Sequence, residues 1–155
     1  MDKLETIRCH SNTKRGLEFL VVDDDQTIRK IMRLQLKAFG LRIDVAENGE
    51  EAVKYAKKSR YDVIFMDIQM PRMNGIMAAT SIRSHEAEQG YAPAHIVATT
   101  AGGATRQQCL DAGMNDYLQK PVGFEMVVNV LYQLLVDKNE FSETGMPKCG
   151  CCVSR

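Results

Sequence analysis

The feature that most constrains this chain is a fivefold alternation of short apolar runs with longer amphipathic stretches. FLVV, opened by Glu18, is too short for a helix and is bounded by three aspartates, so Glu18–Val22 is predicted to be a buried strand. Residues 43–46, 63–66, His95–Thr100 and 117–119 repeat the signal, the third run ending at Asp67 and the fifth just before Lys120-Pro121. Helical spacing fills the intervals. Residues 26–39 carry Ile28, Ile31, Met32 and Phe39 on one face and stop at Gly40. Asn48 and Gly49 open a helix with Glu50 and Glu51 in its first turn and Lys57 and Lys58 in its last, the order that the helix dipole favours. A third helix carries Ile76, Ala79, Ile82 and Arg83, and a short fourth spans 105–112 and closes at Gly113. In the last, Phe124, Val127, Val128, Leu131, Leu134 and Leu135 make one stripe for packing on the sheet. Such alternation implies a parallel sheet covered on both faces, an α/β fold. Right-handed crossovers then bring all the strands' C-terminal ends to one edge.

The 155 residues suit one domain, over 17–138, with 1–16 expected as a flexible arm and 139–155 as a disordered cysteine-containing tail. Lys+Arg and Asp+Glu are both 20, and the zero net charge argues against a nucleic-acid module. MDKLETIRCH lacks the apolar run of a secretory signal, and no segment approaches the ~20 apolar residues of a transmembrane span. Cys9, Cys109, Cys149, Cys151 and Cys152 are odd in number and irregular in spacing. A reducing, cytoplasmic setting is therefore expected rather than a disulfide scaffold. The tail's three clustered thiols lack a fourth metal ligand, and the terminal Arg155 does not fit a prenylation signal, so they read as incidental. His10, His85 and His95 have no carboxylate or Cys partner at ligand spacing.

The chemistry-bearing residues sit at the strand ends. Strand one ends in Asp23-Asp24-Asp25, strand three in Asp67, strand four in Thr99-Thr100 and strand five in Lys120. Open parallel sheets bind ligands at that edge. Asp23, Asp24 and Asp67 contribute −3 and Lys120 +1, leaving −2. Two like charges ~4 Å apart cost roughly 4 kcal/mol at an effective dielectric near 20, so such a site calls for a cation. Hard oxygen donors suit Mg²⁺ or Mn²⁺. Carboxylates, a hydroxyl and a fixed ammonium are equipment for phosphoryl transfer, and one carboxylate can act as the nucleophile. Asp25 reads instead as the N-cap of the helix that starts at Gln26.

The segments FLVVDDD, VIFMDIQMPRMNG, IVATTA and YLQKP resemble, in order and spacing, the receiver domain of two-component response regulators. The resemblance implies a flavodoxin-like (βα)5 three-layer sandwich with strand order 2-1-3-4-5. It implies Asp67 as phospho-acceptor, and Asp23, Asp24, Asp67 and the backbone carbonyl of Gln69 as Mg²⁺ (or Mn²⁺) ligands. Thr100 and Lys120 would contact the phosphoryl group, Ala101 would offer its backbone N–H, and Thr100 with Tyr117 would form the switch. It also implies a cis peptide at Lys120-Pro121, the bond type for which cis is accessible. The chemistry would be confined to the chain's own phosphorylation and dephosphorylation. The donor would be a histidine kinase or histidine phosphotransfer protein, and output a protein contact at 105–112, Tyr117 and the last helix. A receiver piece of a hybrid histidine kinase, or a phosphate reservoir, are the alternatives. Gly102-Gly103 is a departure expected to loosen its loop. A rival lies in the first strand: Asp23, Asp25 and Thr27 also form the D-x-D-x-T opening of haloacid-dehalogenase-type phosphatases, though nothing after Lys120 supplies their further acidic strand end.

Overall fold

The computed structural model describes residues 2–11 and 16–139. In chain order it contains α1 (Lys3–Ser11), β1 (Glu18–Val22), α2 (Gln26–Lys37), β2 (Arg42–Ala46), α3 (Gly49–Lys58) and β3 (Val63–Asp67). These are followed by α4 (Gly75–Gln89), β4 (His95–Thr100), α5 (Arg106–Asp111), β5 (Asp116–Gln119) and α6 (Phe124–Asn139). The five strands form one parallel sheet in the order β2-β1-β3-β4-β5. β3 lies at its centre with all five residues buried, whereas the edge strands β2 and β5 are largely half-exposed.

Alternate residues of each central strand feed separate cores, as a two-faced sheet requires. Leu20, Val22, Ile64, Met66, Ile96 and Ala98 pack against α3, α4 and α5 through Ala52, Ala78, Ala79, Ile82 and Cys109. Phe19, Val21, Val63, Phe65 and Val97 pack against α2 and α6 through Met32, Leu36, Val127, Leu131 and Leu135. Four helices, α2 to α5, start on side-chain caps: Asp25, Asn48, Asn74 and Thr105 each accept hydrogen bonds from first-turn N–H groups.

Three packing expectations need correction. α2 ends at Lys37, and its buried face is Met32, Leu36 and then Phe39, while Ile31 is 48% exposed. Residues 32, 36 and 39 keep the four-and-three spacing of one stripe, and position 31 is turned about 100° away from it. In α6, Phe124 remains exposed and the core residues are Val127, Val128, Val130, Leu131 and Leu135.

The third correction concerns the N-terminus, where part of the expected flexible arm is the helix α1. It packs on α6: Ile7 is fully buried in the core that α6 lines, and Leu4 packs against the same cluster. Lys3 donates to Asn129 Oδ1 at 2.8 Å, and its ammonium lies 5.5 Å from the centroid of the Tyr132 ring. The expected tail lies beyond the described residues, apart from Asn139 at the end of α6. No helix among the described residues is long and apolar enough to cross a membrane. Ile7→Ala is expected to lower unfolding stability by about 2 kcal/mol in a urea titration, the low end for truncating a buried isoleucine. A loss below about 0.5 kcal/mol would mean that α1 is not integral to the core.

Candidate functional site at the carboxyl edge of the sheet

The parallel sheet brings the ends of β1, β3, β4 and β5 together. Asp23 follows β1 and Asp67 closes β3, both almost fully buried, whereas Asp24 beside them is exposed. Carboxylate oxygens of the three lie within 4.8 Å of one another. Lys120, just past β5, bridges the two buried acids, with Nζ 2.7 Å from Asp23 Oδ2 and 3.1 Å from Asp67 Oδ2. Its backbone N–H donates to Thr100 O at 2.8 Å, fixing the end of β5 to that of β4. The Lys120-Pro121 peptide is cis, as the resemblance implied.

Local backbone contacts set the carboxylates. The Asp25 N–H donates to Asp23 Oδ1 at 2.9 Å, and Arg29 Nη1 donates to the Asp23 carbonyl at 2.6 Å. Asp25 itself caps α2, accepting from the N–H groups of Thr27 (2.7 Å) and Ile28 (3.4 Å). The D-x-D-x-T reading thereby loses its second acid, which serves the helix. The Gln69 N–H donates to Asp67 Oδ1 at 3.3 Å. In the same loop Gly75 N–H donates to Ile68 O, and a Cβ at Gly75 would overlap the Asp67 carbonyl oxygen. The glycine lets the start of α4 close onto the end of β3.

The other expected site residues lie on β4, β5 and the loop between β4 and α5. Thr100 is fully buried, but its hydroxyl donates to Gly102 O at 2.5 Å and accepts from Gly102 N–H at 3.0 Å. Ala101 is exposed at the tip of β4, and Tyr117 is half-buried in β5 with its hydroxyl donating to Ala104 O at 3.4 Å. Sequence reasoning missed Arg29, whose role rests on a side chain reaching back six residues to a carbonyl. It also missed the closure of Thr100 onto Gly102, which has no signal in residue type alone.

Burial and the neighbouring charge of Asp23 raise the Asp67 carboxyl to about 6, against the counteracting pull of Lys120. Burial alone would lower the Lys120 ammonium, but its bonds to Asp23 and Asp67 hold it above its ordinary value. One ammonium therefore does not satisfy three carboxylates. This excess of negative charge and the hard, all-oxygen donor set fit a divalent cation of the Mg²⁺ class.

The response regulator receiver domain model matches residues 19–132. The chain belongs to that family. Its receiver domain is similar to hybrid signal transduction histidine kinase B of Dictyostelium discoideum, 40% identical in a 131-residue alignment that covers 78% of this chain and 7% of that protein. The chain thus spans only a small part of such relatives. The Ssk1 receiver domain of Saccharomyces cerevisiae, solved with the histidine phosphotransfer protein Ypd1, is 32% identical with a TM-score of 0.74, covering 79% of this chain and 90% of that one. The receiver domain of the sensor histidine kinase PA1611 of Pseudomonas aeruginosa, with a magnesium ion in its active-site cleft, is 33% identical with a TM-score of 0.69, covering 79% and 99%.

A folded protein that holds the Asp67 proton up to about pH 6, against 3.8 ordinarily, is favoured where that proton is bound. This contribution is fully present below 3.8 and is lost as pH rises through 6. In metal-free buffer Asp67→Asn, which cannot ionise, is expected to be about 2–3 kcal/mol more stable than the parent protein above pH 7. Urea titrations should show the gap closing below pH 4. A gap independent of pH would show that neither burial nor the charge of Asp23 raises the Asp67 carboxyl in the folded protein.

Proposed function

We propose that this receiver domain takes a phosphoryl group from a phosphohistidine of a partner protein onto Asp67 and passes the event on through its protein-binding surface. The observation that carries the reading is the buried Asp67, ending the central strand beside Asp23 and Asp24 and held by Lys120 at 3.1 Å. An Asp67 carboxylate oxygen attacks phosphorus. The P–N bond to the donor imidazole breaks, its electron pair staying on the ring nitrogen, and an aspartyl phosphate remains. Lys120 offsets charge on the transferring oxygens and then pairs with the product. The Thr100 hydroxyl and the Ala101 N–H are the donors proposed for the remaining oxygens.

Asp23, Asp24, Asp67 and the Gln69 carbonyl are the groups proposed to hold Mg²⁺, with Mn²⁺ the alternative. When bound, the ion supplies charge neutralisation for the phosphoryl group. The magnesium found in the PA1611 receiver supports this assignment. The Ssk1–Ypd1 complex supports a histidine phosphotransfer protein as donor, and the hybrid-kinase relatives support a kinase receiver segment as the second reading. For output, we propose a downstream protein on α5, Tyr117 and the part of α6 that α1 leaves open, in a cytoplasmic setting.

Acetyl phosphate with Mg²⁺ is expected to add one phosphoryl group by intact mass, with no adduct on Asp67→Asn or after chelation. Lys120→Ala should slow the reaction on the order of 10²-fold, the loss typical of removing one preorganised charge-stabilising donor. An unmodified parent protein, or an adduct that survives Asp67→Asn, would overturn the assignment.

A further inference from the structure

The two acids that follow β1 are secured in different ways. The Asp23 N–H donates to Ala46 O at 3.1 Å, its carboxylate takes the Asp25 N–H and the Lys120 ammonium, and its carbonyl takes Arg29 Nη1 at 2.6 Å. The Asp24 carboxylate is exposed and makes no hydrogen bond or ion pair with the described residues. One of its oxygens nevertheless lies within 4.8 Å of oxygens of Asp23 and Asp67. With no side-chain partner, that oxygen is placed by its backbone. The peptide between residues 23 and 24 is planar, so the direction of the Asp23 carbonyl also sets the N–Cα bond from which Asp24 departs. Arg29 holds that carbonyl.

Arg29 suits this task because its own base is fixed. It lies in the first turn of α2, where its backbone N–H donates to Asp25 O at 3.1 Å, and its half-buried side chain reaches back to the end of β1. A charged donor on a carbonyl makes a stronger bond than a neutral one. The choice of acceptor also matters. Lys120 contacts one oxygen of Asp23 and one of Asp67, whereas Arg29 contacts no carboxylate and leaves the acids' oxygens to other ligands. Without a cation, the like charges of Asp23 and Asp67 push the Asp24 carboxylate outwards, and a fixed 23–24 peptide resists that push.

We infer that Arg29 is a positioning residue of the cation site: through the 23–24 peptide it holds Asp24 where that carboxylate can share a divalent ion with Asp23 and Asp67. The inference rests on the reading of these acids as the Mg²⁺ ligands. Arg29 has two opposing effects on such an ion. Its positive charge disfavours a second cation nearby, but solvent and salt screen that repulsion. Its bond to the carbonyl preserves the ligand geometry, and outer groups that orient ligands typically govern metal affinity by 10- to 100-fold, on the order of magnitude. Removing the side chain is therefore expected to weaken cation binding even though the site becomes more negative. A residue acting only as a charge would have the opposite sign, and one that only steadied α2 would leave the affinity unchanged.

The test uses Mn²⁺ as the probe on the full chain, its free fraction read by electron paramagnetic resonance. Arg29→Met keeps an unbranched stem without a donor and is expected to bind Mn²⁺ about tenfold more weakly than the parent protein. Lys30→Met removes an exposed neighbouring charge of α2 and is expected to stay within about twofold of it. Asp24→Asn should weaken binding in the parent protein and cost much less in Arg29→Met, where Asp24 is already displaced. In the metal-free parent protein, nitrogen relaxation should show the Asp24 amide as rigid as those of α2, a rigidity that Arg29→Met loses. Three results would overturn the positioning role and leave the cation site standing: equal or tighter binding by Arg29→Met, an equal cost of Asp24→Asn in both backgrounds, or an Asp24 amide already mobile in the parent protein. A parent protein that binds no Mn²⁺, or Asp24→Asn that binds it as well as the parent, would overturn the reading of these acids as ligands, and the role of Arg29 with it.

Discussion

The Lys120 ammonium sits 2.7 Å from one buried aspartate and 3.1 Å from another, with a third, exposed carboxylate beside them. Its single charge lets two acids share the end of a sheet without fully balancing them, and burial together with the charge of Asp23 keeps the Asp67 carboxyl raised. The surrounding architecture maintains this state of deficit. Strands β1 and β3 are hydrogen-bonded neighbours, so Asp23 and Asp67 cannot move apart without breaking the sheet. Lys120 is anchored through its own N–H to the end of β4, and Gly75 lets α4 close under Asp67. In the proposed chemistry, attraction for a cation and readiness to accept an electrophile are two aspects of one over-acidic pocket.

Three consecutive aspartates illustrate how position divides labour among identical side chains. Asp23 is buried and paired with Lys120, Asp24 is exposed with an oxygen facing the cluster, and Asp25 is turned to the N–H groups at the start of α2. The Asp25 backbone also donates to Asp23, so the residue that starts the helix also steadies the buried acid. Arg29, one turn into α2, holds the Asp23 carbonyl. The helix start and the acidic edge are a single hydrogen-bonded unit.

Much of this was legible in the residues because strands in a parallel sheet are short, apolar and punctuated. FLVV and HIVATT could hardly be anything else, and the acids, hydroxyls and lysine at their ends inherit a common edge from topology alone. The gathering of Asp23, Asp67 and Lys120 at one edge follows from that rule, whereas the strand order came from the resemblance to receiver domains. Signals carried by distant partners were not legible. Arg83 donates to Gly113 O and Asn115 Oδ1, thirty and more residues away, tying α4 to the start of β5. α1 offers only Leu4 and Ile7 as an apolar pair, too little for a stripe, and its packing site exists only once α6 is folded. The Thr100 hydroxyl has a partner that depends on the φ of Gly102, a quantity no residue name conveys.

Helix α1 redraws the limits of the folded unit. The family match begins at residue 19, after a helix whose Ile7 is fully buried. A polypeptide that lacks α1 but runs through α6 would present the apolar surface vacated by Leu4 and Ile7, beside the Tyr132 ring, to solvent. Such a fragment keeps every residue of the acidic edge and gains a sticky flank. Self-association of the trimmed piece would then report the missing helix rather than a property of the protein.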